Sequence, residues 1–190
     1  TGFTGANGAN GSSGSGVTQV SVGINSGPIA VAVNPVSPRA YALNNGLQTV
    51  KVIDTTTNTV VGSTIPVGLA PQSIAVNPAG TKAYVANLFD SSFGDDGSVT
   101  IIDTATGTVI TTIDMSTTGA FHPAGVAVSP DGSKVYVTVE GGFVTIDPVT
   151  DTFGTFVSTG QIRPYGVAFS PIAADQKAYI VDMQGTKSAI

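Results

Sequence analysis

From residue 17 onward the chain reads as short runs of Val, Ile, Ala, Thr and Tyr, with Gly, Pro, Asn and Asp gathered between the runs. Runs of that length and residue choice predict β-strands, and the interruptions predict turns. In the stretch opened by Pro71 the runs are SIAVN, KAYVAN, SVTIID and TVITTI, here named strands a, b, c and d. Pro and Gly in NPAGT predict the a–b turn. In DTATG the Asp carboxylate is placed to accept a backbone N–H two residues on, which closes the c–d turn.

The pattern recurs. PIAVAVNP begins at Pro28, PQSIAVNP at Pro71, PAGVAVSP at Pro123 and PYGVAFSP at Pro164. A second proline follows each time (Pro35, Pro78, Pro130, Pro171), then a tyrosine in strand b (Tyr41, Tyr84, Tyr136, Tyr179). Strand c ends on Asp54, Asp103 and Asp147 in the first three units. A period of roughly 40–50 residues predicts a repeat architecture in which each unit buries its faces against its neighbours. Strand a carries a small residue at matching positions, Ala32, Ala75, Ala127 and Ala168, as strands converging on a central axis require. The predicted fold is all-β, a β-propeller of four-stranded antiparallel blades.

The boundaries follow from the repeat. Residues 1–16 form a Gly-rich segment and residues 17–190 the propeller: a d strand at 17–27, blades at 28–70, 71–122 and 123–163, and a partial blade at 164–190. About four blades are covered. One expectation is that the leading d strand pairs with the final a–b–c set and closes a four-bladed ring. The other expectations are a segment of a larger ring and two chains sharing one ring. The larger ring is favoured, because an open C-terminal edge strand is a liability.

GVAVSPDGSKVYVT and SVTIIDTATGTVITTI resemble the YVTN-type β-propeller repeats of microbial surface proteins, over roughly residues 17–184. The resemblance implies a ring of seven blades and a place in a cell-surface or S-layer-like coat. It carries no specific chemistry, since propellers host many functions. With no Trp and one His, neither a Trp–Asp blade signature, nor the Trp docking motif of quinone-binding propellers, nor a His-rich copper cluster is present. The first residues, TGFTGANGANGSSGSG, place Gly at every third position from 2 to 14. That period is what a collagen triple helix demands and predicts a homotrimer; the alternative is a flexible linker. The segment resembles the triplet stalks that carry globular heads on spore coats, phage fibres and giant-virus surfaces. Asn10 lies in an NGS glycosylation sequon.

Charge narrows the partners. Charged residues make up 10% of the chain against roughly 25% in soluble domains. Net charge is −5 and the seven Lys and Arg are scattered, so nucleic acid is not an expected partner. No apolar run approaches the ~18 residues of a membrane span, and membrane insertion is not expected. Without cysteine there is no disulfide, thiolate metal site or Cys nucleophile.

Antiparallel blades place the d–a and b–c loops on one face and the a–b and c–d turns on the other. The second face is nearly constant. The first varies: its b–c loop is NLFDSSFGDDGS in the second blade and VEGGF in the third. Variable loops on a rigid scaffold are where binding concentrates. The candidate partner-binding residues are Phe89, Asp90, Phe93, Asp95, Asp96, Phe121, His122, Glu140, Arg163 and Tyr165, with the 88–97 insert central and removable without loss of the fold. No catalytic set, metal site or cofactor is expected. The sequence predicts a non-catalytic extracellular or surface (cell, spore or virion) structural or adhesion module that binds a protein or glycan or assembles with itself. The alternative is a Ca²⁺-dependent propeller hydrolase or lactonase, drawing on Glu140, Asp182 and the acidic loop.

Overall fold

A computed structural model describes residues 18–91, 96–116, 121–160, 163–172 and 177–183, and the backbone of 187–189. The Gly-rich segment 1–16 lies outside these residues, as does any test of its triple helix. The first sheet comprises β1 (Pro28–Val33), β2 (Arg39–Asn44), β3 (Thr49–Asp54) and β4 (Thr59–Pro66). The second holds β5 (Leu69–Val76), β6 (Lys82–Phe89), β7 (Ser98–Asp103) and β8 (Thr108–Asp114). The third holds β9 (Val126–Val128), β10 (Val135–Val139), β11 (Gly142–Asp147) and β12 (Thr152–Ser158). The fourth is three-stranded, with β13 (Pro164–Phe169), β14 (Ala178–Asp182) and β15 (Lys187–Ala189). Every sheet is an antiparallel meander in chain order, so each is a blade of the predicted kind.

The blades sit like a fan. β1 lies against β5, β5 against β9 and β9 against β13, whereas β4 and β8 scarcely meet. Strand a is therefore innermost and strand d outermost. Alternate residues of each blade project to opposite faces, and the core lies between blades. From the first blade, Tyr41, Leu43, Val50 and Ile65 project forward onto Ile74, Ala83, Val85 and Ile102 of the second. From the second, Tyr84, Val99, Ile101 and Met115 project onto Val126, Val135, Val137 and Ile146 of the third. Tyr136 of the third packs on Phe169 of the fourth, ring centroids 4.8 Å apart.

One expected strand is absent. Residues 18–27 form no strand, and nothing from them joins β15. A lone strand leaves its backbone groups unpaired unless a ladder receives it. In its place the segment follows the first blade, with Asn45 N donating to Gly27 O at 2.9 Å and Gly46 N to Ser26 O at 2.9 Å. Among the described residues, the fourth sheet is β13-β14-β15 and gains no fourth strand from 18–27.

The turns show the predicted chemistry. Asp54 Oδ1 accepts Thr56 N at 2.9 Å, Asp103 Oδ1 accepts Ala105 N at 2.8 Å, and Asp147 Oδ1 accepts Val149 N at 2.7 Å. Each turn ends on a left-handed residue, Asn58 (φ 55°), Gly107 (φ 69°) or Asp151 (φ 56°), types that tolerate this conformation. Hydrogen bonding depresses all three carboxyls. The Thr56 hydroxyl and then Arg39 hold Asp54 well below the carboxylate range. The Thr106 N–H chiefly lowers Asp103, and the Val149 N–H chiefly lowers Asp147.

Polar latches cross between blades beside these turns. Asn34 Nδ2 donates to Gly80 O at 2.8 Å. Lys82 Nζ reaches Asp151 Oδ1 at 2.7 Å and Pro148 O at 2.9 Å. Burial, followed by the Asp151 and Asp147 carboxylates of the next blade, pushes the Tyr84 hydroxyl up to about 12.

Two predictions follow from this packing. Gly80 is left-handed (φ 67°), and a Cβ there would stand 2.3 Å from Asn34 Oδ1, whereas the nearest neighbour of a Cβ at Gly132 (φ 73°) is 3.7 Å away. Gly132→Ala pays only for its backbone, about 1 kcal/mol. Gly80→Ala also displaces the Asn34 latch and costs about 2–4 kcal/mol, read by urea denaturation. The depressed Asp carboxyls stabilise the fold fully above their unfolded pKa of about 3.9, and that contribution disappears as pH falls towards their folded values. An Asp54→Asn/Asp103→Asn/Asp147→Asn variant should therefore lose less melting temperature than the parent between pH 4 and 2, and no more between pH 7 and 5.

Candidate functional site

The loop face with variable sequence holds a pocket of about 230 Å³ where the second, third and fourth blades meet. Phe89 ends β6, His122 and Arg163 precede the opening prolines of the third and fourth blades, Glu140 follows β10, and Tyr165 lies in β13. Those five predicted residues line one cavity although they are scattered over the sequence. His122 Nδ1 stands 3.0 Å from Glu140 Oε1, an ion pair whenever the imidazole is protonated. Its ring meets Phe89 edge-on, centroids 5.5 Å apart. The Tyr165 hydroxyl donates to Gln72 Oε1 at 3.0 Å, tying the fourth blade to the second across the mouth.

Backbone geometry holds these groups in place. Before the opening proline, Gly27 (φ 55°), Ala70 (φ 47°) and His122 (φ 58°) all take the left-handed conformation. Because Ala70 shares it, the conformation belongs to the blade-to-blade crossing and His122 inherits it. His122 N donates to Asp96 O at 3.0 Å, and Glu140 N to Phe121 O at 2.9 Å. A Cβ on Gly125 would lie 2.3 Å from Tyr165 O, so only glycine lets β9 and β13 approach this closely. Thr138 Oγ1 bridges the pair, accepting Gly125 N at 2.7 Å and donating to Tyr165 O at 2.9 Å.

The remaining candidates separate. Phe121 is at the rim, partly exposed, and serves the site through its backbone. Asp96 likewise contributes its carbonyl. Phe93 and Asp95 lie outside the described residues. Asp90 is buried away from the pocket and accepts the Ser98 hydroxyl at 2.6 Å. Asn87 Nδ2 extends that network to Ser98 Oγ at 3.0 Å and Thr100 Oγ1 at 2.9 Å. The ends of the 88–97 insert are tied into the blade. Phe89 pairs with Leu69 inside the sheet, Asp90 anchors strand c, and a Cβ on Gly97 (φ 88°) would meet Pro123 at 2.5 Å.

The named candidates did not include Gln72, Ala124, Pro164 or Met183, which also line the wall, and Leu88 entered only as part of the 88–97 insert. Leu88 and Met183 occupy the same end of strand b as Glu140 and follow from that position. Gln72 lies within strand a, and no loop signal points to it. Among the described residues no group of three or more His, Asp or Glu side chains is arranged to hold a metal ion. No helix among them is long and apolar enough to cross a membrane. At about 230 Å³ the cavity is smaller than the roughly 300–1,000 Å³ of drug-sized ligand sites. Its apolar walls are interrupted by the polar groups of Gln72, His122, Glu140 and Arg163.

Fold and pocket together define a β-propeller with a small aromatic, charged mouth on its loop face. No protein-family model and no curated protein matches the chain. Many solved structures do, among them Kuenenia stuttgartiensis hydrazine synthase, at 26% identity and a TM-score of 0.72. The match covers 86% of this chain and 45% of that one, so the likeness extends over less than half of the larger protein.

The two acidic residues beside the loop face should separate in their effects. Asp90→Ala strands buried hydroxyl and amide groups and should cost about 1–3 kcal/mol in denaturant unfolding. Glu140→Ala breaks a half-exposed pair and should cost less than about 1 kcal/mol.

Proposed function

We propose that this chain is a non-catalytic binding and structural module, a YVTN-like propeller segment displayed outside the cell or on a cell, spore or virion surface, where it engages a protein or glycan. Under this reading residues 1–16 are its collagen-like stalk or linker. The observation that supports binding is the pocket itself: apolar Leu88, Phe89, Tyr165 and Met183 surround Arg163 and a His122–Glu140 pair. Aromatic and Arg side chains at a concave mouth are what recognition anchors use.

A second reading, a hydrolase, draws on one feature. His122 held by Glu140 at 3.0 Å has the form of a general base with its orienting carboxylate.

A glycan array and an array of surface-protein peptides, probed with the purified protein, test the first reading. Tyr165→Ala and Arg163→Ala should each weaken the strongest binder about tenfold or more with melting temperature held. Steady turnover of a nitrophenyl ester or lactone, abolished by Glu140→Gln, would replace the binding reading with the hydrolase.

A further inference from the structure

The polar side chains of the loop-face pocket are mostly committed to one another, and one is not. Gln72 Nε2 donates to Ala70 O at 2.9 Å, and Gln72 Oε1 accepts the Tyr165 hydroxyl at 3.0 Å. His122 Nδ1 and Glu140 Oε1 hold each other at 3.0 Å. Arg163 is the exception. Its carbonyl accepts Met183 N at 3.1 Å, which fixes its backbone beside strand b of its own blade. Its guanidinium makes no hydrogen bond or ion pair among the described residues. A guanidinium carries a lasting positive charge and five N–H donors in a planar fork, so this pocket has an uncommitted cation at its wall.

Three properties of the surroundings select what that cation would take. The fork matches the paired oxygens of a carboxylate or a phosphate. Glu140 lines the same cavity and stands outside ion-pair distance of Arg163, so its charge acts on any anion that enters. A phosphate brings about −1.5 to −2 charges near neutral pH and is repelled up to about twice as strongly as a carboxylate, which brings one. The rest of the wall, Leu88, Phe89, Pro164 and Met183, is apolar. Such walls strengthen a charge pair by excluding water. With Gln72 and Tyr165 bonded to each other, few groups remain to receive hydroxyls, and a hydroxyl desolvated without a partner costs free energy. The favoured body is therefore apolar rather than hydroxyl-rich.

We propose that the pocket is a receptor for a small monocarboxylate on an apolar body, with the carboxylate held by Arg163 and the body set against the Phe89 and Met183 walls. The inference rests on the reading of this cavity as the binding site and names the chemistry of its ligand. Arg163 is the anchor, Glu140 excludes more highly charged anions, and the Tyr165–Gln72 bond holds the mouth in shape.

Calorimetric and NMR titrations of the 190-residue chain with 3-phenylpropionate, up to about 20 mM to capture a millimolar contact, test the proposal. The neutral 3-phenylpropionamide should bind at least about tenfold more weakly, and so should glucuronate, which keeps the charge on a hydroxyl-rich ring. Phenyl phosphate should also bind more weakly to the parent, and Glu140→Gln should narrow that gap. Arg163→Gln should lose the preference for acid over amide with melting temperature unchanged, because Arg163 is exposed and bonds through its backbone alone. Acid and amide bound alike would overturn the proposal, as would an Arg163→Gln variant that retains the preference, a parent that favours glucuronate or phenyl phosphate, or no carboxylate binding at 20 mM. If the proposal fails while the arrays still yield a binder that Tyr165→Ala weakens, the pocket remains a binding site for another chemistry. If neither arrays nor probes yield a Tyr165-dependent binder, both readings fall.

Discussion

Burial of a strand b tyrosine against the next blade's inner strands is the contact on which the rest of the structure depends. A four-stranded sheet standing alone exposes both faces and cannot offset the entropy of ordering its chain. Stacked, the first two blades bury Tyr41 and Tyr84, with partners such as Leu43, Ile101 and Met115, out of contact with water. Each large apolar side chain so removed contributes about 1.5–3 kcal/mol. Because the second and third blades each supply one face and receive another, stability is shared between neighbours, as in other repeat proteins. The small residues of strand a permit the inner approach, and the outer strands diverge.

The same stacking builds the pocket. Successive d–a crossings and b–c loops converge on the loop face, so residues as far apart as Gln72 and Tyr165 come within hydrogen-bonding distance. Gly125 and Thr138 set the separation of the third and fourth blades, and the left-handed crossing at His122 carries the imidazole to Glu140. On the opposite face the Asp and Asn side chains are occupied by turn N–H groups, which leaves that surface shaped for folding. Division of labour between the two faces is a consequence of the meander, with tight turns at one end and longer crossings at the other.

The b–c insert of the second blade joins these two roles. Its ends belong to the fold: Phe89 extends β6, Asp90 is bonded to Ser98, and Gly97 lies close against Pro123. Its acidic composition suggested a surface feature throughout, because a carboxylate is seldom buried without a partner. Asp90 has that partner in Ser98, brought opposite by the β6–β7 register.

Strand periods, turn chemistry and the repeat were legible in the sequence because each depends on residues close along the chain. Alternation places side chains on two faces, and an Asp two residues before an N–H closes its turn whatever surrounds it. That local logic also identified the loop face and the five residues that meet in its pocket. Tertiary structure decided the rest. Residues 18–27 had a strand's composition, but no neighbouring strand was placed to pair with them. Asp90 turned inward because strand c offered it a hydroxyl, and Gln72 entered the pocket because the fourth blade brought Tyr165 above it. A strand, a buried carboxylate and a pocket wall each require a partner distant in sequence, and that partner's position is known only once the chain is packed.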